Sequence, residues 1–195
     1  MVIVRDNFLP ENLFFWLNNL AKNKFSQSLQ AATKKSTKIS KFYTESKTGW
    51  DYSLSNLQGD LVRPQYALGS HYKDIHTLIL NEITKNNLIP LELDCAFFMF
   101  ATTGYEIPKH FDVRYVGSKA DQLKKIVKAF IFCHTEWDDS WGGELCFTSG
   151  NNSPSPNRLL IYTADEMHWV NKVNDIKENK RMIFGLRFGD ELNYE

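Results

Sequence analysis

The spacing of apolar positions along the chain changes near residue 90. Before it, apolar residues recur at helical intervals. Leu13, Phe14, Leu17 and Leu20 share one face of a segment from about residue 10 to 23, because residues three and four apart stack on one side of a helix. Ile75, Leu78, Ile79 and Ile83 repeat that spacing from about 71 to 87, with Ser70 placed to cap the first turn. After Pro90 the spacing becomes that of strands. Cys95 to Ala101 is uninterruptedly apolar, as in a strand buried on both faces. Further strands are predicted over 107–114, 126–133, 144–148, 158–163 and 181–188, separated by turn residues at Gly104, Gly117-Ser118, Gly142-Gly143 and from Ser149 to Asn157. Val2 to Val4 predicts a short strand ahead of the first helix. Residues 25–65 are polar and rich in Ser, Thr and Lys, which predicts loops, part of them a lid over a substrate.

Helices first and strands afterwards predict an α+β fold. The length and spacing of the strands fit a double-stranded β-helix (a cupin-like jelly roll), with the N-terminal helices packed on the major sheet. One domain is expected over residues 1–195, helical to about 90 and jelly roll from about 91 to 190.

Composition narrows the function classes. A hydrophobic fraction of 43% supports a sizeable core, and 23 basic against 23 acidic residues leave no net charge. Neither nucleic acid nor a membrane surface is therefore an expected partner. The local cluster Lys34, Lys35, Lys38 and Lys41 reads as a solvated loop. The odd set Cys95, Cys133 and Cys146 contains no C-x-x-C pair, which points to reduced thiols and a cytoplasmic setting. No apolar run approaches the ~18 residues needed to span a bilayer.

The candidate chemistry starts at His110-Phe111-Asp112. On an extended segment, alternate side chains point the same way, so one imidazole and one carboxylate converge. His168 arrives from a distant strand. Two His and one carboxylate on one face of a metal suit non-haem Fe(II) and leave positions open for substrate and oxygen. Alone, H-x-D is a weak signal. Its surroundings strengthen it: Gly104-Tyr105 before the triplet, Trp137 followed by Gly142-Gly143-Glu144-Leu145, Asn157-Arg158-Leu159-Leu160, His168-Trp169-Val170, and Lys180-Arg181 opening the last strand.

In this order of motifs, from about residue 94 to 189, the chain resembles the Fe(II)/2-oxoglutarate-dependent dioxygenases, and within them the prolyl 4-hydroxylase-like branch. The resemblance implies an oxidoreductase that hydroxylates an unactivated C–H, using O2 and converting 2-oxoglutarate to succinate and CO2. It implies that His110, Asp112 and His168 ligate the iron. It also implies that a basic residue on the last strand pairs with the distal carboxylate of 2-oxoglutarate. Arg181 is the first choice, because a guanidinium binds a carboxylate bidentately. It shares a face with Ile183, Gly185 and Arg187, whereas Met182, Phe184, Leu186 and Phe188 face the other way. Lys180 is the alternative, on the opposite face.

The pattern also departs from the family. Phe100 and Phe132 stand where these enzymes often carry cosubstrate-binding tyrosines, so Thr102 or Thr148 would have to supply the polar contact. Leu145 either packs against the cosubstrate or belongs to the core. Arg187 replaces the usual Trp near the end of the last strand, which weakens the prolyl expectation and suits an acidic substrate or a substrate carboxylate. Arg114 is a substrate contact or a salt-bridged rim residue. Trp169 shields the iron or packs outward. His134 reads as a loop residue, and Trp137 and Trp141 read as structural wedges around the Gly-Gly turn. The expected substrate is an amino acid, a peptidyl residue (prolyl among them) or a related small molecule. The competing reading from another class is a non-catalytic jelly-roll module that binds a metal and senses a ligand. A zinc hydrolase is disfavoured by the absence of an H-E-x-x-H pair.

Overall fold

The computed structural model describes residues 2–34, 73–86, 88, 93–101, 103–112, 126–174, 176 and 181–188. Among these residues, nine strands and two α-helices follow in order: β1 Val2–Arg5, α1 Glu11–Lys34, α2 Lys73–Lys85, β2 Leu93–Ala101, β3 Ile107–His110, β4 Val127–Phe132, β5 Leu145–Phe147, β6 Gly150–Asn152, β7 Leu159–Thr163, β8 His168–Val170 and β9 Arg181–Phe188. They form two antiparallel sheets, of order β1-β7-β4-β9-β2 and β3-β8-β5-β6. Without β1, eight strands remain, four to a sheet, with chain crossings that make a jelly roll. β1 adds an edge strand to the larger sheet.

Side chains alternate across the larger sheet, so it has two apolar faces. The outer face carries Phe98, Phe100, Ala129, Ile131, Leu159, Ile161, Met182, Phe184 and Leu186, covered by Leu13, Phe14 and Leu17 of α1 and Ile79 and Ile83 of α2. Thus the helices sit on the major sheet. The inner face carries Phe130, Phe132, Leu160, Tyr162 and Ile183, which meet Leu145, Phe147 and Val170 of the smaller sheet. The functional chemistry lies in this inter-sheet layer.

Several boundaries differ from the sequence reading. α1 continues to Lys34, where a loop was expected, because Lys, Gln, Ala and Leu sustain a helix even in a polar stretch. Leu78 is exposed although it shares helical spacing with buried Ile79 and Ile83. β3 stops at His110, short of the expected 114. β6 lies within a stretch read as turn chemistry. The expected lid over 25–65, apart from its α1 portion, falls outside the described residues, as do Ser70, Thr102, Arg114 and Lys180. Among the described residues, no helix is long and apolar enough to cross a membrane.

Asn157 and Arg158 lock the N-terminal segment to the sheet. Asn157 holds a left-handed backbone (φ 56°), a conformation that asparagine tolerates. Its side chain accepts from Leu9 N at 2.9 Å and donates to Leu9 O at 2.8 Å. Arg158 makes a two-pronged pair with Asp6, at 2.5 and 3.0 Å.

Candidate active site

β3 and β8 run antiparallel with His110 and His168 as direct partners. Ile107 pairs with Val170 in the same ladder, and the register shifts between the two pairs. Strict alternation would put Ile107 and His110 on opposite faces. The irregularity at Pro108-Lys109 turns both inward. Phe111 then points out and is 39% exposed. Asp112, just past the strand end, turns in and is held by its backbone N–H to Ala164 O at 3.3 Å. The carboxylate is therefore aimed by a bend and not by strand alternation.

The three ligand atoms lie within 4.8 Å of one another. Asp112 Oδ1 is 3.6 Å from His168 Nε2 and 3.9 Å from His110 Nε2. His110 Nδ1 lies 2.8 Å from Pro108 O, and His168 Nδ1 lies 2.8 Å from Glu166 O. A carbonyl only accepts, so each Nδ1 carries the proton and each Nε2 keeps its lone pair for a metal. Burial, then the neighbouring His168, keep His110 below the usual imidazole range, and so neutral. For Asp112, burial pushes toward the acid form, but the Lys128 ammonium with His168 outweighs it and holds the carboxyl well below the usual range. A neutral imidazole at His110 and an ionised carboxylate at Asp112 are the protonation states that metal binding requires of them.

Deeper between the sheets lies Arg181, 1% exposed. Its Nε donates to Gly143 O at 2.8 Å, and its guanidinium lies over the Phe132 ring at 5.2 Å. Its Nη2 is buried with no hydrogen-bond partner among the described residues. Burial lowers the guanidinium pKa to about 10, and the nearby Tyr105 and Tyr162 act against that. An unsatisfied buried cationic donor fits an anionic ligand. The Gly-Gly turn exists to place this contact. Gly142 and Gly143 hold φ of 67° and 72°, and a Cβ on Gly142 would meet Lys172 O at 2.2 Å. Trp137 Nε1 braces the turn through Gly142 O at 3.1 Å, and Trp137 packs edge-on against Trp141.

By sequence, residues 95–186 match the 2OG-Fe(II) oxygenase superfamily. The chain carries a 2OG-Fe(II) oxygenase domain. The oxygenase is similar in fold to the viral collagen prolyl hydroxylase of Paramecium bursaria Chlorella virus-1 in complex with 2-oxoglutarate, at 12% identity and a TM-score of 0.61, covering 97% of this chain and 96% of that one. It is similar also to the Trichoplax adhaerens prolyl hydroxylase solved with a hypoxia-inducible-factor peptide (11% identity, TM-score 0.67, 97% and 84% covered). A third likeness is HygX of Streptomyces hygroscopicus with nickel and 2-oxoglutarate bound (9% identity, TM-score 0.59, 98% and 83% covered). At these identities the likeness is one of fold. No curated protein matches by sequence. The domain uses Fe(II) and 2-oxoglutarate, and the donor set fits both: two imidazole lone pairs beside an ionised carboxylate, and a buried guanidinium.

The remaining residues expected at the site divide. Phe132 and Leu145 are in the inter-sheet layer, and Arg181 and Ile183 face it. Phe100 is not. It pairs with Met182 and packs under the helices; Ala101 is the residue beside Arg181. A continuous apolar strand offers no polar signal to say which of its faces meets the pocket. Thr148 is exposed in a turn. Trp169 faces away from the triad, as alternation with His168 requires, with Lys109 Nζ at 4.4 Å over its ring and its Nε1 bonded to Asn171. His134 lies in the loop after β4, as expected, but not at an entrance. It is buried, with Nε2 donating to Pro154 O and Nδ1 accepting from Met182 N at 3.2 Å, and burial lowers its pKa to about 4.

The sequence reading missed three groups. Lys128, 8% exposed at its side chain, places Nζ 2.5 Å from Asp112 Oδ1. A lone lysine inside the apolar run Ile126–Phe132 was the signal, since a buried charge needs a partner. Tyr162 places its ring 4.9 Å from that of His168, tilted by 56°, and burial, then the Asp112 charge, keep its phenol protonated. Tyr105, 1% exposed, is the second buried phenol near Arg181.

Proposed function

We propose that the protein hydroxylates an unactivated C–H of an amino acid, a peptidyl residue or a related small substrate. In this reading His110, Asp112 and His168 hold the iron, and Arg181 pairs with the distal carboxylate of 2-oxoglutarate. When bound, iron and 2-oxoglutarate supply the oxidising chemistry, one oxygen atom of O2 entering the substrate and the other ending in succinate as CO2 is lost. One observation carries the assignment. A buried guanidinium with an unsatisfied Nη2 shares its layer with two imidazoles whose Nε2 lone pairs converge beside a carboxylate.

The chain's own residues position and exclude. Arg181, fixed by Gly143 O, gives a dianion one orientation along the layer. Tyr162, whose phenol burial keeps protonated, lies near the same charge without adding a negative one, and Tyr105 is buried beside it. Phe132, Leu145 and Phe147 keep water from the layer, which strengthens each electrostatic contact within it. The test is a screen of free amino acids and proline-containing peptides with Fe(II), 2-oxoglutarate and O2. Succinate release with a mass gain of one oxygen on one of them supports the reading. No succinate above the substrate-free rate for any, with 2-oxoglutarate bound, counts against hydroxylation of this substrate range.

A further inference from the structure

We propose that Lys128 is a positioning residue of the metal centre: its ammonium keeps one oxygen of Asp112, leaves the metal a single oxygen, and loosens the protein's hold on the metal. The inference rests on the triad assignment above and adds to it a residue that holds no metal itself.

Three observations carry it. First, the ammonium is inside the site. Lys128 Nζ lies 2.5 Å from Asp112 Oδ1, and both side chains are buried. The same oxygen lies 3.6 Å from His168 Nε2 and 3.9 Å from His110 Nε2. The oxygen aimed at the two imidazoles is thus held by a cation of the protein's own. Second, Asp112 Oδ2 is buried, and no hydrogen bond reaches it among the described residues. A buried acceptor without a donor is unfavourable, so this oxygen is open to a second cation. Third, the lysine is built into the wall. It belongs to β4, a strand buried along its whole length. Its direct partner on β7 is Tyr162, whose ring lies 4.9 Å from that of His168. Strands β7 and β9 flank it on either side, which keeps the ammonium at the triad.

Charge then sets the division. Chelation of a metal by both oxygens would take the ammonium's contact with Asp112 away, and separating a buried ion pair is strongly unfavourable. One oxygen for each cation avoids that loss. A carboxylate bound through one oxygen also leaves more coordination positions open beside two imidazoles than a chelate does, as an oxygenase needs. The consequence is repulsion. Ammonium and metal draw on one carboxylate within a buried layer, where like charges act on each other more strongly than in water. The metal is therefore held more loosely than by the same three ligands without the lysine.

The test measures Mn(II) affinity of the full chain, from the loss of the free-ion EPR signal, at mildly alkaline pH so that a proton does not stand in for the lost ammonium. Lys128→Gln keeps a donor for Asp112 without the charge, which guards against loss of the fold; Lys128→Met removes donor and charge. Both should bind Mn(II) roughly tenfold tighter or more, although each unfolds at lower urea than the wild type. Lys128→Arg keeps the charge and should stay within a few-fold. A residue that served only the fold, or only held Asp112 in place, would on removal leave Mn(II) binding weaker or unchanged, and either result overturns the proposal. Equal tightening in Lys128→Arg assigns the effect to shape and overturns it too. The wild type supplies a reading that needs no variant. In protein carrying isotope-labelled aspartate, the infrared carboxylate stretches that shift on Mn(II) binding should be widely separated, as for a carboxylate held through one oxygen. A narrow separation, as in a chelate, contradicts the division. His110→Ala tells the two levels apart. If it binds Mn(II) as the wild type does, the triad assignment itself fails. If its binding is lost while neither Lys128→Gln nor Lys128→Met binds tighter, only the role of Lys128 falls.

Discussion

His110 and His168 face each other across the β3–β8 ladder, and each ring hands its Nδ1 proton to the carbonyl two residues earlier, Pro108 and Glu166. The ring centroids are 4.3 Å apart. The backbone two residues ahead of each histidine thus fixes the tautomer that leaves Nε2 available. The third ligand, Asp112, is organised differently, by a buried cation.

That difference separates the ligand variants. His110 is partly exposed, while Asp112 and Lys128 are a buried pair. Removing one partner of such a pair costs about 3–5 kcal/mol, because the other charge stays buried. Asp112→Ala is therefore expected to destabilise the metal-free protein by about that much, and His110→Ala by about 1 kcal/mol or less. Both should lose Fe(II) binding and turnover. The double variant Asp112→Ala/Lys128→Met should recover most of the stability. Urea unfolding in a chelator checks this; equal losses for the two single variants would contradict the pairing.

Much of this centre was legible from residue order. The H-x-D triplet, the Gly-Gly turn and the alternation of β9 are local patterns, and each corresponds to one local structure. What escaped notice depends on three-dimensional partners. The bulge that turns His110 inward has no strong sequence mark, since Pro108 is compatible with an ordinary edge strand. Phe100 was misplaced because β2 is apolar on both faces. The pairing of Lys128 is not legible because Asp112 is distant in sequence, and the burial of His134 in its loop is not legible because Pro154 and Met182, its partners, are distant too.

His134 makes stability depend on pH. Its folded value is about 4, against an ordinary 6.5. Between these values the unfolded chain binds the proton and the folded chain does not, so stability falls as pH drops through this window. The loss should reach about 3 kcal/mol by pH 4. His110 is shifted in the same direction and adds to the slope. Asp112 contributes in a lower window, since its stabilisation is lost only as pH falls below the ordinary carboxylate value of 3.8. Chemical unfolding at pH 7, 5.5 and 4 measures the slope. His134→Gln should be less stable at pH 7 but distinctly flatter; an unchanged slope would contradict the burial of a neutral imidazole.

The two turn glycines should fail differently. On Gly142 a methyl group would meet a backbone oxygen at 2.2 Å, at a positive φ. Gly142→Ala is expected to cost several kcal/mol, since neither strain nor clash can relax cheaply. On Gly143 the nearest atoms are side chains of Val173, Arg181 and Trp137, at 3.0 to 3.3 Å. Gly143→Ala should cost less stability yet raise the 2-oxoglutarate requirement severalfold, by displacing Arg181. Thermal melts and 2-oxoglutarate titrations of both variants separate the two effects.

The most direct measurement is a titration of 2-oxoglutarate into the anaerobic Fe(II) protein, followed by its metal-to-ligand charge-transfer absorption, for the wild type, Arg181→Ala and Lys180→Ala. Loss of a buried guanidinium–carboxylate pair corresponds to about 3–5 kcal/mol, or roughly a hundredfold to a few thousandfold weaker binding. Arg181→Ala should show a loss of that size with Fe(II) affinity unchanged, and Lys180→Ala should stay within a few-fold of the wild type. Equal binding by wild type and Arg181→Ala, or a loss confined to Lys180→Ala, would contradict the assignment of Arg181 to the cosubstrate.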